Sequence, residues 1–215
     1  MKKLIVCATK AEVNKTLSEN NFSKSKEIKN LYEAKEIDIF ISGIGSAFTV
    51  FNLTQLLQNK TYSQVVNVGI AGTYNKNINL GELVFVEKDS FADLGIDDNG
   101  VFKTLEEENL SDQTNKFFSS ENSLELPYKK VNAITVNTAS GSLEKIELWK
   151  KKFNPDIETM EGAAVFLVCN NLDIPVMQVR AISNFVELRN KANWKINEAF
   201  LAIDNFITSY LIPKK

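Results

Sequence analysis

Gln64-Val65-Val66-Asn67-Val68-Gly69-Ile70-Ala71-Gly72 and Pro175-Val176-Met177-Gln178-Val179-Arg180-Ala181-Ile182-Ser183-Asn184 are two nearly continuous apolar runs, each closing on small or polar residues. Runs of this length without alternation read as strands buried on both faces, as in a parallel sheet covered by helices. The first is a strand over Gln64 to Ile70 that runs into Ala71-Gly72; the second is a strand from Pro175 through Ser183. Working outward, Lys3 to Ala8 reads as a strand, Ala11 to Glu19 as a short helix, and Ala34 to Ser42 as a strand ending in Gly43-Ile44-Gly45. Ala47 to Gln58 reads as a helix with Phe48, Phe51, Leu53, Leu56 and Leu57 as its apolar positions. Gly81 to Leu94 is β-rich and breaks at Gly95, and Lys129 to Asn137 is a strand. Ser142 to Lys152 is a helix with Ser142 as N-cap. Met160 to Asn171 and Asn193 to Leu211 complete the helices. The polar stretch Asp97 to Asn122 reads as an excursion from the sheet.

This alternation predicts one α/β domain over residues 1–215, three layers (α/β/α) around a mixed, mostly parallel twisted sheet. Ligands of such sheets lie beyond the carboxyl ends of the strands. The strand ends at Ser42-Gly43-Ile44-Gly45, Gly69-Ile70-Ala71-Gly72 and Ile182-Ser183-Asn184 therefore belong to one rim.

Composition narrows the chemistry. Hydrophobic residues are 44% and charged residues 24%, with 25 Lys and Arg against 27 Asp and Glu, which points to neither nucleic acid nor a solvating tail. No apolar run approaches the ~20 residues of a membrane span. The start Met1-Lys2-Lys3-Leu4-Ile5-Val6-Cys7-Ala8 is too short in its apolar part for a signal peptide and reads as a strand, so a cytoplasmic protein is expected. Cys7 and Cys169 sit in apolar stretches and read as reduced, buried thiols. The chain has no histidine. Ser-His-Asp and Cys-His catalysis are excluded, and two cysteines alone do not make an ordinary zinc site. No metal and no organic cofactor is expected.

Carboxylates, amides, hydroxyls and backbone groups remain. Glu12 follows the first strand and is either a solvated helix acid or a general base. Glu161, in Glu158-Thr159-Met160-Glu161-Gly162-Ala163-Ala164, is either a helix-start acid favoured by the helix dipole or a clamp on vicinal hydroxyls. Glu158 fits the plainer explanation better. Asn184 is either a turn residue or a reader of a heterocycle edge, since an amide both donates and accepts. Arg180, within an apolar strand, calls for a carboxylate partner and orients a site residue more readily than it touches a ligand. The glycine turns match neither a dinucleotide fingerprint nor a Walker A loop.

Taken together, Met160-Glu161-Gly162-Ala163-Ala164, Arg180-Ala181-Ile182-Ser183-Asn184 and Gly69-Ile70-Ala71-Gly72 resemble the nucleoside phosphorylase and nucleosidase superfamily, in order and over essentially the whole chain. Asn184-Phe185-Val186-Glu187-Leu188-Arg189-Asn190, Trp194 and Asp93-Leu94-Gly95 resemble its futalosine hydrolase branch. The resemblance implies hydrolysis of an N-ribosyl bond, the release of hypoxanthine from futalosine in menaquinone biosynthesis. It implies Glu12, in Ala8-Thr9-Lys10-Ala11-Glu12, as the water-activating base, and Met160 and Glu161 on the ribose. It places Ala71, Gly72, Thr138, Ala139 and Asn184 at the base, and Ile44, Trp194 and Arg189 at the 5′ pocket. The expected partner is a small-molecule nucleoside, and a homodimer or higher homo-oligomer is expected. Two departures matter. Adenine-cleaving members have Asp where this chain has Asn184, and Asn has no proton to give N7 but donates to N7 or O6 of an oxopurine. The turns at 43–46 and 69–73 hold no Arg or Lys for phosphate, which favours water as nucleophile. The competing readings are an adenine-type nucleosidase, a phosphorylase and a non-catalytic nucleoside-binding protein.

Overall fold

The computed structural model describes residues 1–110, 118–120 and 126–212. Its strands are β1 (Lys3–Cys7), β2 (Ser23–Lys24), β3 (Leu31–Glu33), β4 (Ile37–Ile41), β5 (Gln64–Thr73), β6 (Leu83–Asp89), β7 (Gly95–Asp98), β8 (Val101–Thr104), β9 (Phe118–Ser119), β10 (Lys129–Thr135), β11 (Ile157–Thr159) and β12 (Val176–Phe185). Its helices are α1 (Asn14–Glu19), α2 (Ser46–Asn59), α3 (Leu143–Phe153), α4 (Gly162–Asn171) and α5 (Ile196–Phe206).

β5 and β12 are the two runs that open the sequence argument, and they pair in parallel at the centre of a mixed sheet ordered β11-β10-β6-β12-β5-β1-β4-β3-β2. Both faces are apolar, as a covered parallel strand requires. On one side Leu4, Val6 and Val65 pack against Leu53 and Leu56 of α2 and Val165 and Phe166 of α4. On the other, Ile5, Val66, Val68 and Val179 meet Ala199, Ile203 and Phe206 of α5. These are the three expected layers. Cys7 and Cys169 are free and buried, one in each layer of the core.

Two features place the site. The three-residue strand β11 pairs with β10 in parallel and with β5 in antiparallel fashion, Glu158 opposite Gly72. The path β5-β12-β6-β10-β11 thus returns to β5 as a closed ring of strands. Second, the register of β12 on β5 slips between Ile182, opposite Ala71, and Asn184, opposite Gly72. The extra residue is Ser183, a bulge of the kind that re-aims a side chain at a sheet end.

Several boundaries differ from the sequence expectation. Ala11 to Glu19 is a 3-10 turn over Lys10–Val13 followed by α1. Met160 and Glu161 precede α4 rather than begin it, because β11 occupies the chain up to Thr159 and Glu161 is the N-cap, with φ −131°. The last helix starts at Ile196, not Asn193: Asn190 Oδ1 accepts from Ala192 N, capping a 3-10 turn, and Lys195 N donates to Ser183 O at 2.7 Å. That bond ties the entry of α5 to the bulge. The Asp97 to Asn122 stretch contains most of a hairpin, β7–β8, and β9 pairs back onto β6; residues 111–117 and 121–125 lie outside the described residues. Ser142 caps α3 as expected, accepting from Lys145 N. No helix among the described residues is long and apolar enough to cross a membrane.

Candidate active site

The strand ends gather around a cavity of about 310 Å³. Ala8, Thr9 and Glu12 come from the exit of β1, Ile70 to Gly72 from β5, Glu158 to Glu161 from β11 and the turn after it, and Ser183 to Val186 from the end of β12. This is the carboxyl rim that the topology rule predicts.

Glu12 is buried, at 4% exposure, which excludes the solvated-acid reading. Its Oε2 accepts from Thr9 N at 2.7 Å and Thr9 Oγ1 at 3.2 Å, and its Oε1 accepts from Ile70 N at 3.3 Å. Burial raises its pKa above the ordinary carboxyl value, and the Glu161 carboxylate adds to this; the Thr9 and Ile70 amides and the Arg180 charge work the other way. Glu161 is likewise buried, and its Oε1 accepts from Gly45 N at 2.9 Å. Burial raises its pKa, with Arg180 opposing. The turn around Ile44 therefore holds the Glu161 carboxylate. Gly43 and Gly45 both take φ near +90°, a conformation that other residues rarely adopt.

Arg180 is 1% exposed and donates to Asn67 Oδ1. The expected carboxylate partner is instead an amide, and the guanidinium acts through its charge on Glu12 and Glu161. A Cβ on Gly69 would lie 2.2 Å from Arg180 Nη1 and 2.9 Å from Glu12 Oε1. Glycine at 69 is what lets the cation and the acid stand over β5.

At the far end, Asn184 Oδ1 accepts from Ser183 Oγ at 2.8 Å and its Nδ2 donates to Phe185 O at 2.9 Å. A Cβ on Gly72 would come within 3.1 Å of that Nδ2. Ala71, Gly72, Ala139, Met160, Ile44, Trp194 and Arg189 all line the cavity. Thr138 does not: it is exposed, its carbonyl accepts from Lys145 Nζ, and the chain turns inward only at Ala139 and Ser140. Asp93 fixes this segment, accepting from Asn137 N at 2.7 Å and from Asn137 Nδ2 at 3.1 Å.

Sequence reasoning missed Glu158, Ser140, Phe185, Leu188 and Phe200 as lining residues. Glu158 Oε1 accepts from Ser140 N at 2.8 Å, and its Oε2 accepts from Ser140 Oγ and Tyr74 Oη, each at 2.6 Å. Partners from residues 74 and 140 meet it only once the ring has closed. Trp194 carries the Arg189 guanidinium 5.5 Å from its ring centre.

This fold and rim define an α/β protein with three buried acids, Glu12, Glu158 and Glu161, and an amide around one concave site. The phosphorylase superfamily model matches residues 2–207, and the chain belongs to that superfamily. Among its relatives, the futalosine hydrolase of Thermus thermophilus is 27% identical over 75% of this chain and 75% of that protein. The 5′-methylthioadenosine/S-adenosylhomocysteine nucleosidase of Buchnera aphidicola (subsp. Baizongia pistaciae) is also 27% identical, over 72% of this chain and 64% of that protein. A futalosine hydrolase mutant of Helicobacter pylori superposes with a TM-score of 0.83 at 18% identity, covering 97% of this chain and 98% of that one. At that identity the likeness concerns the fold.

Proposed function

We propose that the protein is a purine nucleosidase that hydrolyses the N-ribosyl bond of futalosine and releases hypoxanthine, a step of menaquinone biosynthesis. The observation that carries the reading is the pair of buried acids, Glu12 and Glu161, facing one cavity that Asn184 closes at the other end. Glu12 takes a proton from water. Its raised pKa brings the base closer to neutrality, where proton transfer is most effective. Glu161, held by Gly45 N, accepts from the ribose hydroxyls beside Met160 and fixes the sugar for attack. Asn184 donates to the departing base, alongside Ala71, Gly72 and Ala139. Ile44, Phe185, Leu188, Trp194 and Phe200 give the cavity an apolar lining suited to a flat 5′ group, and Arg189 next to Trp194 offers a cation to the carboxylate of a carboxyphenyl group.

Relatives named as futalosine hydrolase and as methylthioadenosine/adenosylhomocysteine nucleosidase stand at the same 27% identity, so an adenine-type nucleosidase is the second reading. Asn184 favours the first, because an amide has no proton to give to N7 of adenine. Water is preferred to phosphate because Arg189 is the one basic residue lining the cavity among the described residues, and it lies beside Trp194. A homodimer is part of the proposal: Ile44, Phe48 and Phe51 are exposed together at α2 and the turn before it, and Ile44 also lines the cavity.

The test is chromatography of the bases released from futalosine, aminodeoxyfutalosine, methylthioadenosine and inosine, each with and without phosphate. Hypoxanthine from futalosine, independent of phosphate, supports the proposal. Adenine release as the main activity moves the protein to the second reading, and a phosphate requirement makes it a phosphorylase.

A further inference from the structure

Glu158 is a buried carboxylate that the proposed chemistry does not use, although it lines the cavity. Its position follows from the ring of strands. β11 places it opposite Gly72 on one side of β5, and the Ser183 bulge places Asn184 opposite Gly72 on the other. Neighbouring strands lie ~4.8 Å apart, so the two Cα atoms stand roughly 10 Å from each other across Gly72. That is an interval a planar bicyclic base can bridge with one polar edge toward each side chain.

What Glu158 can still accept follows from its partners. Ser140 N, Ser140 Oγ and Tyr74 Oη all donate to it. A carboxylate offers about four lone-pair sites, and these donors occupy three of them. Two of the donors fall on Oε2, which leaves acceptor capacity on Oε1. All three partners are neutral groups. An unused acceptor on a buried carboxyl group selects for a ligand N–H at that place and against a ligand lone pair.

We infer that Glu158 is a specificity-determining residue that accepts the lactam N1–H of a 6-oxopurine base, while Asn184 serves the O6/N7 edge. This rests on the nucleosidase reading above. The two residues make complementary demands. A 6-oxopurine presents an acceptor, O6, next to a donor, N1–H, which matches an amide donor on one side and a carboxylate on the other. A 6-aminopurine presents the opposite pattern, and its N1 lone pair faces the carboxylate. A site built around a substrate N–H rejects an analogue lacking it far more strongly than an apolar pocket rejects a misfit, because its own polar group is left unpaired. Glu158 also holds Ser140, and with it the Ala139 wall, so the acceptor is fixed in place before the base arrives.

The experiment has two arms. In the first, kcat/KM is measured for a 6-oxopurine and a 6-aminopurine nucleoside with the same 5′ group (futalosine and aminodeoxyfutalosine), in the native enzyme and in Glu158→Gln. The Gln amide donates where the carboxylate only accepts, so the ratio of the two constants shifts toward the aminopurine by on the order of 10²-fold. In the second, which uses the native enzyme alone, product inhibition by hypoxanthine is compared with that by 1-methylhypoxanthine. The N-methyl compound binds at least ~10-fold more weakly, the equivalent of one hydrogen bond to a charged group. A ratio unchanged within about threefold in Glu158→Gln, or equal inhibition by the two bases, overturns the inference while hypoxanthine release leaves the nucleosidase reading standing. A native enzyme that releases no base from either nucleoside overturns that reading and this inference with it.

Discussion

Single residues set the chemistry through their burial. Glu12 and Glu161 share the field of Arg180, whose positive charge keeps two acids within reach of ionisation in a place where burial alone favours their neutral forms. Glu12→Gln keeps the shape and removes the proposed base, so kcat should fall by roughly 10²–10⁴-fold while product affinity changes little, measured by steady-state assay and titration with hypoxanthine. The raised pKa fixes the sign of the pH dependence. As the proposed base Glu12 must be ionised, so activity should fall as pH drops through its pKa, with the acid limb of kcat/KM above the ordinary carboxyl value. Arg180→Gln removes a charge that lowers this pKa and should move the limb to higher pH, read from the same profile. The residue types of this site were legible in the sequence: with no histidine, carboxylates and an amide at strand ends were all that remained. Glu158 was not, because its partners at 74 and 140 are distant in the chain and nothing local marks a buried acid.

Secondary-structure elements hold these residues by close approach. β5 carries glycine at the two points where neighbours cross it, Gly69 beneath Arg180 and Glu12, and Gly72 beside Asn184. Gly69→Ala puts a methyl 2.2 Å from Arg180 Nη1, a buried group with little room to yield. It should cost about 1–3 kcal/mol in chemical denaturation and reduce kcat with it. The entry to α4 shows a second device. Ala163 N donates to Thr135 Oγ1, which donates to Asp89, a fully buried acid whose pKa burial lifts from 3.8 to about 7. A folded value above the unfolded one means that this contribution to stability is complete below pH 3.8 and is lost as pH rises through about 7. In Asp89→Asn the amide stays neutral, and once the Gln178 amide turns over it donates to Gln178 Oε1, which has no hydrogen-bond partner among the described residues, in place of the bond from Gln178 Nε2 to Asp89 Oδ2. The melting temperature of the native protein should therefore decline relative to the variant between pH ~4 and ~7, followed by differential scanning fluorimetry. Long apolar strands such as β5 and β12 could be read from sequence. The β7–β8 hairpin could not, since it is polar and pairs only with itself, and the break before α5 was hidden by apolar spacing that continues across it.

The whole molecule adds a surface and a closure. The three-layer core followed from alternating apolar strands and amphipathic helices, but the return of β11 to β5 did not, because three residues carry no period. That return brings Glu158, Gly72 and Asn184 together. The exposed Phe48 and Phe51 of α2 lie on the outer surface near Ile44, which itself lines the cavity. If this face joins two copies, Phe48→Glu with Phe51→Glu gives a monomer by sedimentation velocity and raises KM for 5′-extended substrates more than it lowers kcat. A variant that stays dimeric places the interface elsewhere.

The central claim is that water, activated by Glu12, cleaves the N-ribosyl bond of an oxopurine nucleoside. Its most direct test is the rate of hypoxanthine release from futalosine in phosphate-free buffer, for the native enzyme beside Glu12→Gln. Steady release by the native enzyme and a loss of about 10²-fold or more in the variant is the predicted result. Release that requires phosphate, or a variant as fast as the native enzyme, contradicts it.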